Sequence, residues 1–244
     1  MVVTSLDNSK VKKYRKLQKR KYRDQYGEYI VEGLHLILEA FRAGVLEELI
    51  LEEGMDVPVS CPYTYFSSEV MSKISMMDTP STIMGLCRKA KDEDVVGNRI
   101  LILDGIQDPG NLGTIIRSAV AFDVDTIVLS ERTVDLYNPK VLRATQGMFF
   151  HVRVVSKLAL EVISMLQNLD IPVYGTSVVN GVDVRSLNES EKKNFALVVG
   201  NEGNGVRDEI LSVCNKNLYI EMNKNVESLN VAIAASILLY ELGR

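Results

Sequence analysis

Two α/β modules are what the sequence predicts: a small N-terminal one over residues 1–90 and, over residues 99–244, a larger one built on a mostly parallel sheet. Two observations lead there. From residue 99 onward, short apolar runs alternate with segments of helical periodicity, the pattern of a parallel sheet covered by helices on both faces. Ahead of them, "RKAKDEDVVGN", Arg88 to Asn98, is charged, lacks periodicity and ends in Gly-Asn, which marks a linker centred on residues 91–98. A chain of 244 residues that is 46% hydrophobic has enough apolar surface for a sizeable core.

In the first module, residues 8–23 read as one basic helix, Tyr29 to Val31 as a short strand, and Leu34 to Phe41 as an apolar-periodic helix ended by Gly44. Strand-like Leu46 to Leu51 and Tyr63 to Phe66, a helix from Ser67, and β-like Thr82 to Cys87 follow. In the second, strands are expected at Ile100 to Leu103, Thr126 to Leu129, Ile171 to Tyr174, Phe195 to Val199 and Leu218 to Glu221. Helices are expected at Leu112 to Phe122, Val141 to Thr145, Leu158 to Leu169, Arg207 to Val213 and Ser228 to Leu242.

The net charge of −4 conceals a polarity. Residues 1–26 carry nine Lys/Arg against Asp7 and Asp24, a net +7, while the remainder, with 19 basic and 30 acidic groups, stands at −11. Such an arm is suited to a polyanion. Tyr14, Tyr22 and Tyr26 interleave with its charges and offer faces for unpaired bases, which favours RNA. The apolar stretches, such as Val231 to Leu239, are shorter than a membrane helix requires, and no signal peptide is evident, so a cytoplasmic protein is expected. Cys61, Cys87 and Cys214 are far apart and lack metal-ligand spacing, which predicts free thiols and no metal site.

Three polar loops carry the chemistry. "GNEGNG", Gly200 to Gly205, follows the apolar run Phe195 to Val199. Its glycines read G-x-x-G-x-G, the reverse of the dinucleotide fingerprint, and no P-loop lysine follows. Glu202 at its centre repels phosphate, so a neutral or cationic ligand is expected. In "QDPGNLGTIIRSAVAF", Asn111 is the expected N-cap, Leu112, Ile115, Ile116, Ala119 and Val120 form the core stripe, and Arg117 lies off it, one turn beyond Gly113 and leaning toward the loop. "YIEMNKNVESLNVAIAASILLYELG" repeats the design: a strand, a loop holding Glu227, Ser228 and Asn230, then a helix, with Ser228 as the plain capping alternative. Loops that follow successive strands of an open α/β sheet converge on one crevice.

Together these segments resemble the SpoU (TrmH-type) branch of the knotted SPOUT RNA methyltransferases: "NLGTIIRSAVAF", "LVVGNEGNGV" and "IEMNKNVESLNVAIAASILLYE" stand in that family's order, joined by "NPKVLRATQG" at 138–147. The segments "RKLQKRKYRDQYGEYIVEGLHLI" and "TPSTIMGLC" resemble its ribosomal-protein-L30-like substrate domain. The resemblance implies transfer of a methyl group from S-adenosylmethionine to a ribose 2′-hydroxyl of structured RNA, 23S ribosomal RNA first and transfer RNA as the alternative. It also implies a C-terminal trefoil knot and a homodimer. Residue by residue, it places Thr176, Gly200, Asn201, Gly203, Ile220, Met222 and Leu229 at the cofactor and Arg117, Asn111, Glu202, Ser228 and Asn230 at the reacting groups. RNA contacts are expected from Lys10, Lys12, Lys13, Arg15, Lys19, Arg20 and Arg143.

Two rivals remain at this point. An NAD-binding oxidoreductase would use Glu221, about twenty residues past the glycine loop, on the ribose, but the glycine order opposes it. A non-catalytic RNA-binding protein would be expected to have lost the polar residues that all three loops keep. His35 and His151 fall outside the three motifs and carry no expected catalytic role.

Overall fold

A computed structural model describes residues 2–91, 94–178 and 181–243. The chain divides into two units, Met1–Lys91 with Asp135–Phe150, and Asp92–Val134 with His151–Arg244. Residues 135–150, expected in the second module, thus cluster with the first. Asp92 and Glu93, part of the expected linker, lie outside the described residues. Beyond them Val96 is tied to the second unit: Thr126 Oγ1 donates to its carbonyl at 2.7 Å.

The first unit contains β1 (Val2–Val3), α1 (Ser9–Lys16), α2 (Arg20–Tyr26), β2 (Glu28–Glu32), α3 (Leu34–Arg42), β3 (Leu46–Glu52), β4 (Tyr63–Phe66), α4 (Ser68–Ile74) and β5 (Ile83–Arg88). Its sheet runs β1-β4-β3-β5-β2, with β5 antiparallel to both neighbours. Helix residues Val11, Tyr14, Val70, Met71 and Ile74 pack on Ile50, Phe66, Met84 and Leu86 of the strands. Between Met84 and Leu86, Gly85 faces the other way, and a Cβ there would meet Leu46 Cδ1 at 2.7 Å, with Ile37 of α3 just beyond.

The expected single helix over 8–23 is two helices. Leu17 is the last αR residue of the first, and Lys19 turns to φ −103°. Arg23 staples the break. Its side chain, 5% exposed, donates to the carbonyls of Leu17 and Gln18 and pairs with Asp135 at 2.6 Å. Around Asp135, the helix α6 (Pro139–Ala144) packs on β2, Tyr137 lies 4.6 Å from Tyr29, and His35 Nε2 is 3.0 Å from the Gln146 carbonyl.

The second unit contains β6 (Arg99–Asp104), α5 (Pro109–Ala121), β7 (Thr126–Leu129), β8 (Arg153–Ser156), α7 (Ala159–Asn168), β9 (Val173–Thr176), β10 (Val182–Asp183), α8 (Glu189–Lys193), β11 (Phe195–Gly200), α9 (Asp208–Leu211), β12 (Lys216–Tyr219) and α10 (Val231–Leu242). The sheet order is β10-β12-β9-β11-β6-β7-β8, parallel at every pairing. Central β6 and β11 are apolar along nearly their whole length because helices cover both faces. β8 and β10 escape the sequence pattern. Both are edge strands, and β10 has only two residues.

Candidate ligand cleft at the carboxyl edge of the parallel sheet

Because all strands of the second unit run the same way, the loops after β6, β9, β11 and β12 emerge on one edge. The loop after β11 closes on itself: Asn201 and Gly205 exchange backbone hydrogen bonds at 2.9 Å, and Asn201 Oδ1 accepts from the N–H groups of Gly203 and Asn204. Gly205 takes φ +69°, which glycine tolerates. Gly200 serves this closure, since a Cβ there would lie 2.1 Å from backbone atoms of Gly205 and Val206. Gly203 differs: a Cβ would meet only Asn201 Oδ1, at 3.6 Å.

The loop is fastened at both ends. Asn201 Nδ2 donates to the Gly105 carbonyl at 2.9 Å, and Gly105 N–H donates to Ser130 Oγ at 3.1 Å. At the far end Arg207 donates from Nε to Asp104 at 2.9 Å and from its backbone N–H at 3.2 Å. The Asp104 side chain is 1% exposed at the end of β6. Neither Asp104 nor Arg207 stands out in the sequence, since their pairing spans a hundred residues.

Glu202 ties the three polar loops together. Its carboxylate accepts from Asn111 Nδ2 at 3.1 Å, Asn201 Nδ2 at 3.2 Å and the backbone N–H groups of Asp108 at 3.1 Å and Gln107 at 3.3 Å. Asn230 Nδ2 in turn donates to Asn111 Oδ1 at 3.0 Å. Partial burial pushes the Glu202 carboxyl up, but the hydrogen bonds from Asn111 and the backbone outweigh it and hold the group below its ordinary range. That contribution is present above the ordinary glutamate pKa of about 4.3 and is lost as pH falls through the depressed folded value.

Of the expected site residues, Asn111, Glu202 and Asn230 thus share one network. Their local roles differ from expectation. Asp108, with Pro109 behind it, caps α5 by accepting the Asn111 N–H at 2.8 Å. Asn230 caps α10, accepting from Ala232 and Ile233, so Ser228 is not the cap. Arg117 stands on the exposed side of α5 and makes no hydrogen bond or ion pair with a described residue of the loop.

Thr176, Gly200, Asn201, Gly203, Ile220, Met222 and Leu229 all line one cleft of about 390 Å³, with Glu202 and Ser228 at its wall and Ala234 and Leu238 of α10 beneath. That volume suits a small organic ligand. The charged residues among the described ones lining it are Glu202 and Asp208, both acids, so a phosphate is disfavoured and a cation accepted. Glu221, the ribose-binding candidate of the oxidoreductase rival, is ion-paired with Arg185 at 2.6 Å.

The two glycines separate closure from binding. Gly200→Ala is expected to disrupt the loop and lower the melting temperature. Gly203→Val is expected to melt near wild type yet weaken S-adenosylmethionine binding at least tenfold, ~1.4 kcal/mol, by calorimetry. Normal binding by Gly203→Val would make the loop structural only.

A parallel α/β sheet whose carboxyl edge holds a ligand-sized cleft with no basic residue among the described ones lining it, on a chain with a second small α/β unit, is the class of protein that the fold and the site define. The chain belongs to the SpoU rRNA Methylase family, whose model matches residues 98–240, and residues 8–85 match the MRM3-like substrate binding domain. It is 36% identical, over 98% of both chains, to the 23S rRNA (guanosine(2553)-2′-O)-methyltransferase RlmP of Bacillus subtilis (strain 168). Among solved structures it is similar to an AdoMet-bound rRNA methyltransferase from Sinorhizobium meliloti, with TM-score 0.87, 28% identity and coverage of 99% and 97% of the two chains. An RNA 2′-O ribose methyltransferase matches with TM-score 0.82 and 29% identity over 99% and 98%.

Proposed function

We propose that the protein methylates a ribose 2′-hydroxyl of 23S ribosomal RNA with S-adenosylmethionine as methyl donor. The observation that carries this reading is the cleft itself, bounded by a self-closed glycine loop and charged, among the described residues, by acids alone. When bound, S-adenosylmethionine supplies an electrophilic methyl group on a sulfonium centre. Gly200, Gly203, Ile220 and Leu229 hold it through backbone groups, with Thr176, Asn201 and Met222 beside them. The ionised Glu202 fixes Asn111, and Asn111 fixes Asn230, so the polar wall is set before RNA arrives. Arg117, exposed on α5, binds the phosphate beside the reacting ribose through its guanidinium and stabilises the developing alkoxide. Ser228 completes the wall. The reaction so written uses no metal. A knotted C-terminus, a homodimer and a cytoplasmic location belong to the same reading; Ile233 and Tyr240, 52% and 44% exposed on α10, supply apolar surface for a second copy.

The first unit is the RNA-recognition module of this reading, and its ion pairs sort the expected contacts. Lys10 pairs with Glu48, Lys12 with Asp7, Lys13 with Glu28 and Arg20 with Asp24. Arg15, Lys16, Lys19 and Lys21 are exposed with no ion pair among the described residues, and exposed Arg143 joins the same unit. Replacing those four by Ala is expected to flatten the salt dependence of RNA binding by about 0.7–0.9 in log–log slope for each phosphate no longer neutralised. The Lys10→Ala, Lys12→Ala and Lys13→Ala variants should move it less. An unchanged slope in the fourfold variant would place the RNA elsewhere.

Mass-spectrometric mapping of ribose methylation in cells with and without the gene tests the function. Loss of one 2′-O-methyl group from 23S ribosomal RNA is expected. Loss from a transfer RNA instead, or no loss at all, overturns the substrate assignment.

A further inference from the structure

Helix α2 keeps two aromatic rings outside the core. Its buried side chain is Arg23, while Tyr22 is partly exposed and Tyr26 is 38% exposed. The rings lie four residues apart on one helix face and are nearly parallel, with centroids 6.3 Å apart and planes 19° apart. Ammonium groups flank them. Lys16 Nζ stands 5.5 Å and Lys21 Nζ 6.0 Å from the Tyr22 ring centre, and Lys13 Nζ 5.9 Å from that of Tyr26. The phenols of Tyr14, Tyr65 and Tyr174 donate hydrogen bonds; those of Tyr22 and Tyr26 have no such partner among the described residues.

We infer that Tyr22 and Tyr26 form a stacking platform for unpaired bases of an RNA strand, whose phosphates are taken by Arg15, Lys16, Lys19 and Lys21. The platform presupposes that RNA is the substrate, as proposed above, and adds which part of the RNA this face reads. A ring face flanked by cations suits a ligand that alternates planar groups with negative charge. A single strand does so, and every base has a π-face to offer. A duplex hides its base faces, and a purely anionic ligand would engage the lysines but leave the rings unused. Tyr14, expected in the same role, is excluded: it is 1% exposed, lies in the core against Phe66, and donates its phenol to Glu48 at 2.8 Å.

The test uses the full chain with Tyr22→Leu/Tyr26→Leu, which keeps bulk and helix propensity but removes the π-faces. Two probes are titrated, a short oligo(A) RNA and inorganic polyphosphate, which has charge but no bases. Oligo(A) affinity is expected to fall about tenfold or more, with its salt slope unchanged, while polyphosphate affinity stays at the wild-type value. The corresponding Phe variants should restore oligo(A) binding. The chain contains no tryptophan, so quenching of tyrosine fluorescence by oligo(A) gives a second readout that the Leu variant should diminish. Tyr26→Leu alone, at the more exposed position, serves if the double variant melts early. Wild-type oligo(A) affinity in a folded Leu variant, or an equal fall for both probes, overturns the platform. If the wild-type protein binds neither oligo(A) nor ribosomal RNA fragments, the RNA reading itself fails, whereas intact methylation by a fully binding Leu variant removes only the platform.

Discussion

Arg117→Ala is expected to lower methyl transfer by about 10²–10³-fold while S-adenosylmethionine affinity stays within a few-fold. The separation follows from position. Arg117 projects from the exposed side of α5 and is absent from the cleft lining, whereas the residues around the cleft offer mostly backbone and uncharged groups. Removing the guanidinium therefore leaves the cofactor's surroundings intact and takes away the group that a developing alkoxide and its neighbouring phosphate would use. Arg117→Lys keeps the charge but not the planar fork, and should recover part of the rate. Single-turnover methylation of ribosomal RNA fragments, with calorimetry on the same preparations, measures both quantities. Near-normal turnover by Arg117→Ala would remove Arg117 from the reaction, and a parallel loss of cofactor binding would reassign it to the cleft.

Asp104→Ala is expected to be strongly destabilising. The carboxylate is almost wholly buried at the end of β6 and receives the Arg207 side chain at 2.8–2.9 Å as well as its backbone N–H. Removing it strands a guanidinium whose side chain is 23% exposed, with only the more exposed Glu131 and Glu209 left to share. Breaking one side of such a pair costs about 3 kcal/mol or more, and in a chain of this size that corresponds to a fall of roughly 6–12 °C in Tm. Cofactor affinity should fall beyond the unfolded fraction, because Arg207 anchors the far end of the loop and its neighbour Asp208 lines the cleft. Thermal melting with and without S-adenosylmethionine separates the two effects. A variant that melts like wild type would show that the pair is not holding the loop.

Much of this site is legible in the sequence because its determinants are local. The apolar run at 195–199 followed by a glycine loop, and the polar-loop-then-helix arrangement around Asn111 and Asn230, each lie within about twenty residues. Period and turn chemistry act at that range. The capping expectations fail because several polar residues compete at each helix start. Pro109 at the first helical position selects Asp108, and the chain path into α10 selects Asn230 over Ser228. The basic segment reads as one continuous helix because Arg20, Lys21 and Arg23 all favour helix, and only the Arg23 bridge to Asp135 reveals why it breaks.

The sequence by itself determined where the central strands β6, β7 and β11 run, that the larger sheet is mostly parallel, and that an acid at the centre of its glycine loop disfavours a phosphate there. These follow from hydrophobic period, loop composition and the sign of charge, which short windows contain. The tertiary structure alone decided which of the arm's cations remain exposed, that Tyr14 is core while Tyr22 and Tyr26 are surface, and that residues 135–150 join the first unit. It alone also showed that loop closure requires a glycine at Gly200, where a Cβ would meet the backbone of Gly205 and Val206. Each of these depends on partners far away in the chain, such as Glu48 for Tyr14 and Asp135 for Arg23, and a pairing at that separation leaves no period or composition in the local sequence.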